Sequence, residues 1–127
     1  MVAVTGLEHA IIGLQQALDT PRRHHVWRWL VRHRMAGVRD ALVREGAQDG
    51  SHDGADAWLA SREIGLLRDR NALLGRLAVL GPQVLEEPDV ETVRGDLVRL
   101  VADLERHRQK LNDLVYDSVS LELGGSE

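Results

Sequence analysis

The chain has 127 residues, 43% of them apolar and 28% charged, a balance that suits one domain with its own core and argues against wholesale disorder. Phe is absent and Tyr occurs once, so the core must be aliphatic, which favours helices over a β-sandwich. The absence of cysteine excludes disulfides, thiol catalysis and cysteinyl metal sites, while the net charge of −4 masks a basic segment in which seven arginines between Arg22 and Arg44 face one acid, Asp40. No apolar run approaches the roughly 18 residues of a membrane span, and the N-terminus has no signal-peptide pattern. These features predict a cytoplasmic protein forming a single domain over residues 1–127.

The first helix is predicted over residues 6–19. Thr5 and Glu8 form a capping box, and Leu7, Ala10, Ile11, Leu14, Ala17 and Leu18 share one face. Asp19-Thr20-Pro21 makes a tight junction, with Thr20 capping a second helix over 21–45 and Pro21 at its first position. That helix carries Val26, Trp27, Leu30, Val31, Val38 and Leu42 and stops at Gly46. The stretch from Gln48 to Gly54 is polar and glycine-bearing, hence a loop; His52, Asp53 and Asp56 read as the cap region of the next helix.

A third helix is predicted over 55–80, stopped by Gly81-Pro82. Its apolar seam is wide: Leu59, Ala60, Ile64, Leu66, Leu67, Leu73, Leu74, Leu77 and Ala78. Glu86-Glu87-Pro88-Asp89 breaks the chain before a fourth helix over 89–120. There Val90, Val93, Leu97, Leu100, Leu104, His107, Leu111 and Leu114 alternate steps of three and four, the pattern of a helix-packing seam. Four helices on short connections predict an all-α, up-down four-helix bundle with a short first helix.

His107 sits inside that seam, so its imidazole points inward. A buried histidine needs partners for both ring nitrogens or a metal on one, which leaves two readings: a hydrogen-bonded core histidine or a ligand. The stretch Leu104 to Tyr116, with Leu121-Glu122-Leu123-Gly124-Gly125, the opening Leu7-Glu8-His9 and the run Leu67 to Leu74, resembles bacterial hemerythrin-like proteins. That resemblance implies a four-helix bundle holding two non-haem irons among His and Glu/Asp from all four helices, and a role in binding oxygen or related small molecules or in handling iron. His9 and His107 match the family's first-helix and fourth-helix histidines.

The remaining ligands depart from the family's pattern. Arg44-Glu45 lies where the second helix offers His-x-x-x-Glu, and Arg70-Asn71 lies where the third tends to have Glu-His. Asn112 takes the place of a fourth-helix carboxylate, and Asp113 is turned about 100° away from it. The expectation is a non-enzymatic bundle with a degenerate metal site and no cofactor, acting through protein contacts or a small-ligand pocket. Its alternative is an iron site with an altered ligand set of His9, Glu45, Glu63 and His107.

The basic segment Arg22-Arg23-His24-His25, with Trp27, Arg28, Trp29, Arg32, His33 and Arg34, raises nucleic-acid binding as a further alternative. Trp27 and Trp29 stand about 200° apart on the helix, so they cannot form one stacking platform. The commoner meaning is a solvated basic face paired with acids of the third and fourth helices or of another subunit. With Trp27 inward, Trp29 needs cover, so Trp27, Trp29, Arg28 and Arg32 are candidates for a protein or self-association interface. No nucleophile elbow, P-loop or dinucleotide fingerprint is present, and no catalytic residue is assigned.

Overall fold

A computed structural model describes residues 2–20, 24–47 and 57–125, of which the side chains of 2–5, 24, 25, 46, 47, 57, 58, 118 and 120–125 lie outside the description. It contains four helices: α1 (Val2–Asp19), α2 (His24–Ala47), α3 (Ala57–Glu86) and α4 (Val90–Gly125). Packing joins α1 to α2 and α4, and α3 to α2 and α4, the square of an up-down bundle in which α1–α3 and α2–α4 are diagonals. No helix is long and apolar enough to cross a membrane among the described residues.

The helices lengthen along the chain, from 18 to 24, 30 and 36 residues. They are flush at one end. There Arg94 of α4 donates to the Leu18 carbonyl of α1 at 3.4 Å, and Arg28 of α2 donates to the Val84 carbonyl of α3 at 3.0 Å. At the other end α3 and α4 overhang their shorter partners, since 18 residues of α4 beyond His107 span about 27 Å at 1.5 Å per residue.

The fourth-helix seam is buried as its spacing predicts, from Val93 through Leu114, with Val90 half-buried at its head. Asp89 caps this helix: its Oδ1 accepts from the backbone N–H of Glu91 and Thr92, and the Thr92 hydroxyl donates to its Oδ2 at 2.7 Å. The face of α1 also holds, with Leu7, Ile11 and Leu14 fully enclosed and each contributing about 2 kcal/mol of burial.

Several expectations are corrected. Helix α1 begins at Val2, so Thr5 lies inside it and does not cap it. Thr20 closes α1 instead of opening α2, because its hydroxyl donates to the Ala17 carbonyl at 2.7 Å. Val26 is 73% exposed, and Met35 supplies the α2 core contact that the sequence reading passed over. Gly81-Pro82 does not stop α3, which runs on to Glu86. Burial of Val84 favours the extra turn, and Arg28 satisfies its terminal carbonyl. The loop expected over 48–54, with His52 and Asp53, and the cap at Asp56 lie outside the described residues, as do the side chains of His24 and His25.

The wide seam of α3 divides in two. Leu59, Leu66, Leu73, Leu77, Leu80 and Val84 enter the core, while Ile64 and Leu67 remain 51% and 41% exposed.

Candidate functional site, a buried carboxylate–imidazole–carboxylate layer

Two polar side chains, Glu45 and His107, are buried within the described core. Each arrives by continuing an apolar seam. On α2 the buried positions run Trp27, Val31, Met35, Val38, Leu42 and then Glu45, in helical steps of three and four. On α4 His107 stands between Leu104 and Leu111. On α3 the gap between Leu66 and Leu73 is filled by Asp69, which is half-buried.

These three side chains meet. His107 is fully enclosed; its Nε2 lies 2.8 Å from Glu45 Oε2 and its Nδ1 lies 2.8 Å from Asp69 Oδ2. The Asp69 contact joins neighbouring helices. The Glu45 contact bridges the diagonal from α2 to α4, so one imidazole ties three helices together.

The geometry favours the protonated ring. An ionised carboxylate only accepts hydrogen bonds, and a neutral imidazole has one donor and one acceptor. Held between two carboxylates, a neutral ring would turn a lone pair on an oxygen lone pair, whereas an imidazolium donates from both nitrogens. Burial by itself pushes the His107 pKa down, but the hydrogen bonds and charges of Glu45 and then Asp69 outweigh it and hold the value above the ordinary 6.5. Glu45 Oε1 is buried without a hydrogen-bond partner, so the layer is one donor short.

The layer also interrupts the apolar core. On one side lies the main cluster, from Leu7 and Trp27 to Leu104; on the other a smaller cluster of Leu59, Leu66, Leu111 and Leu114 joins α3 to α4.

The altered ligand set proposed from sequence is only partly brought together. Glu45 and His107 touch, His9 is exposed on α1, and Glu63 is half-buried on α3. Among the described residues no group of three or more His, Cys, Asp or Glu side chains is arranged to hold a metal ion. The two nitrogens of His107 point to opposite sides of the ring, so Glu45 and Asp69 cannot converge with it on one ion. The residues present do not fit a di-iron centre.

No protein-family model, curated protein or solved structure matches the chain. The likeness to hemerythrin-like bundles therefore stands on the residues quoted for it alone.

The interface candidates also separate. Trp27 is 2% exposed and belongs to the core, with its indole N–H lacking a partner, so it is not available to another molecule. Trp29 points outward and is 63% exposed. Arg28 turns to backbone instead of to an acid, donating to the Val84 carbonyl, and the Arg32 guanidinium lies beside Gly81, where an added Cβ would approach it within 2.9 Å. A helix C-terminus carries partial negative charge, which explains the preference. Two acids of α4 pair with α3 instead: Arg76 meets Asp103, and Arg62 meets Asp117 at 2.6 Å.

Asp69 escaped the sequence reading because the apolar seam of α3 was read as wide, with no single inner face to extend across it. The usable signal was the seven-residue gap from Leu66 to Leu73, which a 3–4 seam must fill at residue 69 or 70.

Proposed function

We propose that the chain is a non-enzymatic helical-bundle module acting through protein contacts, with a proton-held clasp of Glu45, His107 and Asp69 standing where a hemerythrin-like bundle would hold metal. The observation supporting this reading is the occupation of both His107 nitrogens by carboxylates at 2.8 Å. A histidine so engaged has no free lone pair for a metal and no open face for a substrate, and its contribution is to fix how three helices pack.

A small-ligand pocket has less support. A surface groove of about 440 Å³ lies between α3 and α4, lined by Ala72, Gly75, Arg76, Val79, Asp96 and Arg99, and does not reach His107. Protein contact suits the exposed apolar residues better, since Trp29 and Ile64 project from different helices.

The test is metal content. Protein produced with iron and zinc in the medium is expected to purify with far less than one metal ion per chain, and with the same content in the His107→Ala variant. Stoichiometric metal that disappears in His107→Ala would overturn the reading.

A further inference from the structure

The two carboxylates on His107 are not equivalent. Glu45 is 3% exposed, and its Oε1 is already buried without a hydrogen-bond partner. The Asp69 side chain is 35% exposed. The imidazole between them is fully enclosed, so Asp69 is the member of the layer that water reaches.

We propose that the layer is a one-sided proton latch. When His107 gives up its proton, the ring keeps Glu45 and releases Asp69, which frees α3 from α4 at this level and leaves the α2–α4 diagonal tied. The latch rests on the metal-free clasp proposed above and adds its regulation.

A neutral imidazole retains a single N–H, and the two carboxylates compete for it. Withdrawing it from Glu45 would leave a buried carboxylate with no partner on either oxygen, a desolvated charge that nothing offsets. Withdrawing it from Asp69 costs less, because a side chain one-third exposed can turn to water. The proton that departs is therefore the one on Nδ1. Its N–H bond breaks, the electron pair stays on the nitrogen, and the proton passes to a water or buffer base on the Asp69 side. The bare Nδ1 then meets the Asp69 carboxylate lone pair against lone pair, and Asp69 turns outward.

The charged groups acting on the ring are Glu45 of α2 and Asp69 of α3. Glu8 and His9 of α1 are exposed, as are Arg44 beside Glu45 and Arg68 beside Asp69, and Arg70 is half-buried. On α4 itself the flanking Arg106 and Arg108 turn to Asp103 and Glu105. Position gives the release a consequence. Asp69 lies between Leu66 of the small leucine cluster and Leu73 of the main core, so its departure loosens α3 where the two clusters join.

Nitrogen-15 NMR and amide hydrogen exchange on the full chain, below and above the pH at which the ring titrates, test the latch. Above that pH, His107 is expected as the Nε2–H tautomer with a bare Nδ1. Amides of α3 around Leu73 should lose protection on the order of tenfold beyond the intrinsic effect of pH, the equivalent of one charge-assisted hydrogen bond. Those around Leu42 and Glu45 in α2 should hold theirs. Asp69→Asn is nearly isosteric at a partly exposed site, so the bundle is expected to form. Its carboxamide accepts from a protonated Nδ1 and donates to a bare one, which should keep α3 tied and abolish the pH-dependent loss. A ring that keeps both protons until the chain unfolds, an Nδ1–H tautomer, unchanged protection in α3, equal loss in α2 and α3, or a loss that survives Asp69→Asn would overturn the latch and leave the metal-free clasp standing. A metal-bound ring nitrogen would overturn the clasp itself, and the latch with it.

Discussion

At the scale of single residues the most consequential side chain is His107. Protonated, it is a buried cation flanked by two acceptors, and breaking such a pair costs far more than replacing it whole. His107→Ala strands the buried Glu45 carboxylate and is expected to cost about 3–5 kcal/mol in denaturant unfolding. Combining His107→Leu with Glu45→Leu should cost clearly less than His107→Ala alone; equal or greater loss in the double variant would mean that the two residues do not act as a pair. The histidine also sets a pH dependence. Its folded pKa is raised, so its contribution is complete below the unfolded value of 6.5 and fades as pH rises through the folded value. The difference in Tm between the unmodified protein and His107→Gln should therefore shrink from about pH 6.5 upward. A difference that grew with pH would contradict the protonated state.

At the scale of helices, the buried face of α4 was legible, because one unbroken 3–4 alternation leaves no second choice of face, although the helix runs to Gly125 and not to residue 120. Helix α3 was legible only in outline. Its two stripes overlap in sequence, and propensity cannot tell which of Leu66 and Leu67 turns inward; only contact with α4 decides. Pro82 misled for a related reason. It lacks the N–H that would bond to the Ala78 carbonyl, but Ala78 is exposed and water can serve that carbonyl, while buried Val84 and the Arg28 hydrogen bond hold the last turn. Pro82→Ala should consequently raise stability, by about 1 kcal/mol, through the recovered backbone hydrogen bond. A lower Tm for this variant would show that the proline is needed for the turn into α4.

At the scale of the whole molecule, fold class was readable from composition and periodicity, whereas the buried layer was readable only in part. His107 declared itself by interrupting a leucine seam. Glu45 could have been found by extending the α2 face past Leu42, but no spacing rule within one helix reveals that it reaches across the diagonal to α4. Such a contact exists only once the helix order around the bundle is known. The layer then explains the division of the core, with the large cluster on one side and four leucines on the overhanging α3–α4 pair on the other. A polar layer of this kind fixes which residues stand level with one another, because any slip of α4 would leave a charge facing leucine.

The central claim is that the His107 ring is an imidazolium bridging two carboxylates, and nitrogen-15 NMR of the imidazole at neutral pH reads it directly. Two protonated ring nitrogens, one of which loses its proton only above the ordinary imidazole pKa of 6.5, are the predicted result. One protonated nitrogen beside one bare or metal-bound nitrogen at pH 6.5 and below would contradict it.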